Sequence, residues 1–348
     1  MRLLLLGSIA TLVSLLLSAV VLRYVRARGV LDVPGDRSSH LAPTPRGGGL
    51  AVVCVVLVGV ALLLATGRLP SNGGAALLGG GALIALVGWT DDVRGVPARA
   101  RLAVHLVAAI WAVAWLGGLP RLVVGNDIAH LGAAGSVLAV LGIVWAINLY
   151  NFMDGIDGLA AGEATVVGLL ATTLLAGRNP SLAAVAAIVA GAAAGFLTWN
   201  WQPARIFMGD VGSGFLGFVL ATLALASENA GAVPALVWLL LLAVFFVDAT
   251  VTLLRRVVRR ERWYAAHRDH AYQRATRSGW SHAQVTSAVL LLDLGLAIPA
   301  WLSLWRPALL PSMLLLVTLV LAGIYLLVER RQSMSRQARG DSMEKPAL

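Results

Sequence analysis

Three short stretches of this sequence concentrate oxygen-bearing side chains at regular spacing. Asp91 and Asp92 are adjacent at the end of an apolar run. Asn148, Asn151, Asp154 and Asp157 recur at every third position in NLYNFMDGIDGL. Asp210 stands between glycines in FMGDVGSG. Two adjacent carboxylates at a membrane boundary are costly to desolvate together, which suits a proton acceptor or a cation ligand. The Asn/Asp series forms one polar stripe if it is helical. It forms a cavity-lining loop if Gly155 and Gly158 break the helix, and in neither case should it face lipid. Amide and carboxylate oxygens of this kind suit Mg²⁺ and phosphate. If Asp210 opens a helix, the backbone N–H groups there can bind anionic oxygen, and its carboxylate can hold a cation that bridges two phosphates. Each motif by itself also reads as a helix cap or an interhelical hydrogen bond.

Two further segments are basic. The first, DVPGDRSSH followed by PTPRGGG, has prolines that fix the loop and glycines that allow close backbone approach. Its Arg37 and Arg46 have the guanidinium geometry that matches a phosphate, although topology alone also accounts for a basic loop. The second runs from Arg255 to His282 and contains His267, Arg268 and His270. Anionic headgroups account for its arginines equally well. No Cys/His spacing indicates zinc. Carboxylates with Arg and His, and no thiols, point to phosphoryl chemistry with Mg²⁺.

The elements that position these groups must lie in lipid. Of 348 residues, 59% are hydrophobic and 13% charged, and the mean hydropathy is +0.82. Soluble domains carry about a quarter charged residues. Unbroken apolar runs exclude a barrel, so the spans are helices. The expected class is all-α, a polytopic helix bundle with about eleven transmembrane helices, or ten. They fall near 3–23, 49–66, 74–89, 102–118, 135–150, 160–177, 181–198, 214–227, 233–254, 284–303 and 308–328. Of the 27 Lys and Arg, 22 fall in odd-numbered loops and the C-terminal tail. That bias puts the N-terminus outside and the acidic motifs and C-terminus in the cytoplasm. Basic residues after the first run favour a retained helix over a cleaved signal. Residues 1–328 form a single membrane domain, and 329–348 a disordered basic tail. The net charge of +10 is explained by topology and the lipid bilayer, with no nucleic acid. Cys54 is the only cysteine, so there is no intrachain disulfide. Asp248, inside the ninth run, should face the bundle interior.

Together, Asp91-Asp92, the NxxNxxDGxDGL stretch from Asn148 to Leu159 and the FMGDxGS stretch from Phe207 to Ser213 resemble the polyprenyl-phosphate N-acetylhexosamine-1-phosphate transferase family. The resemblance covers about residues 30–283, and the DxPxxRxxH…PTPRGGG loop looks most like its O-antigen-initiating branch. It implies a Mg²⁺-dependent enzyme, with Mn²⁺ as a substitute, in the bacterial inner membrane. Sugar-1-phosphate would pass from a UDP-N-acetylhexosamine to undecaprenyl phosphate, with release of UMP. By the same resemblance Asp210, with Asn151, would hold the metal. Asp91, supported by Asp92, would deprotonate the lipid phosphate. Asn148, Asn151, Asp154, Asp157, Arg37, Arg46, His267, Arg268 and His270 would bind substrate. A homodimer is compatible with this reading. One departure stands out: where many relatives carry His-x-His-His, this chain reads His270-Ala271-Tyr272-Gln273. That leaves the sugar open among GlcNAc, QuiNAc and FucNAc, and a peptide-bearing muramyl donor ranks below these. A transporter or flippase is the rival class, but the carboxylates lie at one face rather than at the midplane.

Overall fold

The computed structural model describes residues 2–33, 43–261 and 267–334, so Arg37 lies outside the described residues. From the N-terminus, α1 (Arg2–Ala27) leads to a two-residue ladder of β1 (Leu31–Asp32) with β2 (Thr44–Pro45), then α2 (Gly49–Ala65), α3 (Ser71–Arg94) and α4 (Ala98–Leu116). A hairpin of β3 (Arg121–Val124) and β4 (Asp127–His130), with Arg121 opposite His130, precedes α5 (Gly132–Met153). There follow α6 (Leu159–Leu175), α7 (Pro180–Asn200), α8 (Asp210–Asn229), α9 (Ala235–Leu241), α10 (Ala243–Val258), α11 (Ala271–Arg277), α12 (His282–Trp305), a 3₁₀ turn and α13 (Leu310–Arg331).

The chain is a polytopic helical membrane protein. All eleven apolar runs are helical, and among the described residues eight helices are long and apolar enough to cross a bilayer by themselves. The ninth run is the pair α9 and α10, bent by 83°, and α2 and α6 have only 17 residues each. Those two sit at the lower limit of span length. By length and composition, eight or nine of the described helical segments qualify as spans on their own, and α2 and α6 account for the rest of the eleven runs.

Small residues set the close approaches, as expected where lipid supplies no hydrophobic drive between helices. A Cβ at Gly191 of α7 would lie 2.2 Å from the Gly7 carbonyl of α1, and one at Gly195 would lie 2.3 Å from that of Thr11. Ser14 Oγ adds a 2.6 Å bond to the Ala192 carbonyl. The α7 and α8 helices are the buried centre. By contrast α1 and α13 expose Leu4, Leu5, Leu16, Leu315 and Leu319, the pattern of a lipid-facing surface.

Two boundaries differ from expectation. Charge at Asp91-Asp92 marked the end of the third span, yet α3 continues to Arg94 with both acids buried in its last turns. Residues 329–331, expected to open the C-terminal tail, are the last residues of α13. Glu329 is held there by Arg255, at 2.9 and 3.0 Å, and by Arg274.

Candidate active site

The start of α8 is wedged between α2 and α3 by glycines. A Cβ at Gly88 would lie 2.6 Å from the Asp210 carbonyl, and one at Gly49 would lie 2.3 Å from the Gly212 Cα. The Pro45–Gly49 run docks on the segment before α8: Phe207 N–H donates to the Pro45 carbonyl at 2.8 Å, and Gly48 and Gly49 donate to those of Phe207 and Met208. Gly209, at φ +74°, makes the turn into α8, a conformation that disfavours other residues.

Asp92 caps this helix from α3. Its carboxylate accepts the N–H groups of Asp210 at 3.0 Å and Val211 at 3.1 Å, satisfying donors that a helix start leaves unpaired. Arg46 Nε lies 3.2 Å from the same carboxylate. Asp91, one residue earlier, turns away from Asp92's partners. It accepts from Val96 N–H and from Arg101 of α4, both at 2.5 Å. The same Arg101 nitrogen donates to Asp210 Oδ2 at 2.5 Å, so one guanidinium ties Asp91 to Asp210.

The Asn/Asp series divides at the end of α5. Asn148 and Asn151 are in the helix, while Asp154 is its C-cap and Asp157 lies in the loop that Gly158, at φ +77°, closes. Asn151 donates to Ser213 Oγ at 3.2 Å and also hydrogen-bonds Asp210. Asn148 donates back to the Val144 carbonyl at 2.7 Å and lies outside the cavity wall. Asp154 is half-buried, and burial together with the charges of Asp210 and Asp92 raises its carboxyl well above the usual carboxylate range. Asp157 accepts Ala204 N–H at 3.1 Å and lies 3.3 Å from His282 Nδ1.

These residues enclose a cavity of about 210 Å³. Its wall includes Asp32, Arg46, Asp92, Asn151, Asp154, Asp157, Asn200, Asp210, Gln273 and His282. His267, Arg268 and His270 are not in that wall. His270 is buried 3.5 Å from Asp248 and stacks on Phe152. His267 is pushed down to about 4 by burial and by the nearby His270 and Arg256. Asp248 faces inward as expected and accepts the N–H groups of Ala271 and Tyr272 at 2.8 and 3.1 Å. Sequence reasoning missed Arg101, Gln273 and His282 as site residues. Arg101 read as one more positive charge of a topological loop, and nothing local ties it to carboxylates 10 and 109 residues away.

Among the described residues no three His, Cys, Asp or Glu side chains converge into a self-sufficient metal cage. The donor set nevertheless fits Mg²⁺, which takes one or two carboxylates and fills its sphere with water and substrate phosphate. Asp210 and Asn151 supply such oxygens at the cavity wall. The mutual repulsion of Asp92, Asp154 and Asp210 is the electrostatic setting that a bound cation relieves.

Beside the polar cavity runs an apolar cleft of about 450 Å³ between α10, α12 and α13. Met153, Val244, Val247, Val289, Leu292, Leu321 and Ile324 line it, with Arg330 and Arg331 also in its wall. Met153 belongs to this cleft and Asp154, the next residue, to the polar cavity.

The site is thus a cluster of carboxylates at one end of a membrane helix bundle. Residues 75–228 match the sequence profile of the family described as Glycosyl transferase family 4. A probable undecaprenyl-phosphate N-acetylglucosaminyl 1-phosphate transferase of Bacillus subtilis is 30% identical over 314 residues, 85% of this chain and 86% of that protein. A decaprenyl-phosphate N-acetylglucosaminephosphotransferase of Mycolicibacterium smegmatis is 35% identical, covering 78% and 74%. A phospho-N-acetylmuramoyl-pentapeptide-transferase of Thermosynechococcus vestitus is 36% identical over 68% and 66%. The chain belongs to the polyprenyl-phosphate N-acetylhexosamine-1-phosphate transferase family. It is an integral membrane enzyme of the sugar-phosphate transferase type.

Proposed function

We propose that this enzyme transfers N-acetylglucosamine-1-phosphate from UDP-GlcNAc to undecaprenyl phosphate at the cytoplasmic face of a bacterial inner membrane, releasing UMP and starting a cell-envelope polysaccharide. The observation that carries the reading is the juxtaposition at Met153-Asp154. An apolar cleft that suits a prenyl chain meets a polar cavity that suits a diphosphate. Relatives named for N-acetylglucosaminyl phosphate transfer support GlcNAc over QuiNAc or FucNAc. The concentration of Lys and Arg in the loops at the motif end supports the cytoplasmic side.

In this reading an oxygen of the lipid phosphate attacks the β-phosphorus of the donor. The bond from that phosphorus to the bridging oxygen breaks, and UMP leaves with the bridging oxygen. Mg²⁺, held by Asp210 and Asn151, would neutralise charge developing on the phosphate oxygens. Asp92 holds the α8 start in register, and Arg46 and Arg101 bring positive charge to two mutually repelling anions. Direct attack needs no covalent enzyme intermediate. For the proton of the lipid phosphate a second reading stands beside Asp91. Both Asp91 oxygens are engaged by Val96 and Arg101, whereas Asp154 faces the cavity and its neighbouring charges favour proton uptake.

The test is exchange of labelled UMP into UDP-GlcNAc by purified enzyme with undecaprenyl phosphate, with the lipid product identified by mass. Exchange that stops with EDTA and returns with Mg²⁺ is expected. No exchange with any UDP-N-acetylhexosamine would sink the reading, and indifference to chelation would remove the metal from it.

A further inference from the structure

Met153 faces the apolar cleft and Asp154 the polar cavity, so the turn that leaves α5 presents neighbouring side chains to two different surroundings. Asp154 makes that turn as the C-cap of α5, at φ −87° and ψ 50°. A helix end leaves its last carbonyls without helical partners, and a buried N–H just beyond it needs an acceptor as well. One side chain from a distant segment takes both. Tyr272 of α11 donates its hydroxyl to the Phe152 carbonyl at 2.9 Å, 120 residues away in the chain. The Gly155 N–H is directed at the same oxygen. The peptide groups on either side of Met153-Asp154 thus close on a single hydroxyl.

That hydroxyl is held from behind. Tyr272 is 3% exposed and lines the apolar cleft. Asp248 of α10 accepts the N–H groups of Ala271 and Tyr272, and itself accepts from Thr252 Oγ1 at 3.2 Å. Arg274, fully buried, ties α11 to α13 through Glu329 and, at 3.2 Å, through the Gln332 carbonyl. The short helix is therefore anchored to two long ones independently of its contact with the end of α5. The contact is also close: a Cβ at Gly155 would overlap the Tyr272 hydroxyl.

We propose that Tyr272 is a positioning residue for the transfer. Its hydroxyl fixes the turn that carries Asp154, and so holds that carboxyl in register with Asp210 across the cavity, without reaching the reacting atoms itself. This role rests on the function proposed above and adds the group that orients Asp154 within it.

The experiment measures kcat, both KM values and the thermal midpoint for wild-type enzyme, Tyr272→Phe, Gly155→Ala and the double variant. Tyr272→Phe keeps the ring against the cleft and removes only the hydroxyl. It should lower kcat about tenfold, the worth of roughly one hydrogen bond, with donor KM, acceptor KM and thermal midpoint little changed. Gly155→Ala drives a methyl group into the hydroxyl and should lower kcat about a hundredfold, the cost of a small misplacement near the reacting centre. Once the hydroxyl is gone, the nearest atoms to that methyl are the ring Cζ at 3.1 Å and Gln273 Nε2 at 3.2 Å, distances that small shifts relieve. The double variant should therefore be more active than Gly155→Ala and regain the level of Tyr272→Phe. A Tyr272→Phe enzyme with wild-type kcat overturns the role. So does a double variant whose loss is the product of the two single losses, because the two positions are then independent. A fall in kcat that merely follows a lowered midpoint overturns it as well. Should Gly155→Ala fail to fold, Tyr272→Phe decides the matter alone. A wild-type enzyme without UMP exchange would instead defeat the underlying function, so the two failures are separable.

Discussion

Two groups of acids in this molecule meet opposite surroundings. At the cavity, Asp91 is held by Val96 and Arg101, Asp92 by the α8 amides and Arg46, and Asp157 by Ala204 and His282. Within the bundle, Glu163 of α6 and Asp293 of α12 are fully buried, near Tyr150 of α5. Their carboxyl oxygens, and the Tyr150 hydroxyl, find no donor among the described residues. The two carboxyls are within hydrogen-bonding reach of each other. A carboxylate carries no donor, so they can bond only if a proton lies between them. The site acids are arranged by cations and amides and stay available to a ligand, whereas the core acids are sealed and join two helices.

The comparison predicts different losses. Asp210→Asn should lower UMP exchange about a thousandfold, the several kcal/mol a metal supplies to phosphoryl transfer, with the thermal midpoint little changed; activity near wild type would remove Asp210 from the chemistry. Arg101→Gln should cost about a hundredfold in kcat, and Arg101→Lys should regain part of it by restoring the charge. Equal activity in both variants would show that the tie between Asp91 and Asp210 is structural only. Glu163→Leu should leave the exchange reaction intact but cost about 1–3 kcal/mol of stability by stranding Asp293. The double variant with Asp293→Leu should be more stable than either single one. A single variant that loses activity without losing stability would erase the distinction between the two groups.

The smallest effect concerns pH. Asp154 is raised in the folded protein, so the folded state binds a proton more readily than the unfolded one. The stability this gives is complete below the ordinary carboxylate range and is lost as pH rises through the raised value. Metal-free enzyme should therefore lose thermal stability with rising pH, and Asp154→Asn should flatten that slope. An unchanged slope in the variant would mean that Asp154 is not the group responsible.

Much of this was legible in the residues. Unbroken apolar runs can only be helices in lipid, and each is helical, the ninth as the bent pair α9 and α10. The boundary at Asp91-Asp92 was misplaced because charge in a run reads as its end, whereas amides and Arg46 from distant segments hold Asp92 inside the last turns of α3. The GGG motif announced close backbone approach, and the contact of Gly49 with Gly212 is its form. Arg101 and His282 escaped notice because their significance lies in partners far along the chain. Glu163 was hidden by its neighbours: one acid in an apolar run carries no period and no motif.

The apolar cleft that α10, α12 and α13 line beside Asp154 has a kinetic consequence. With the prenyl chain in that cleft, as proposed above, the acceptor is delivered by lateral diffusion in two dimensions. Its effective concentration is then a mole fraction of membrane lipid rather than a molarity. Diluting the prenyl phosphate with inert lipid should slow the reaction at constant total amount. Diluting whole vesicles with buffer should leave the saturation of that site untouched while thinning only the supply of the water-soluble sugar nucleotide.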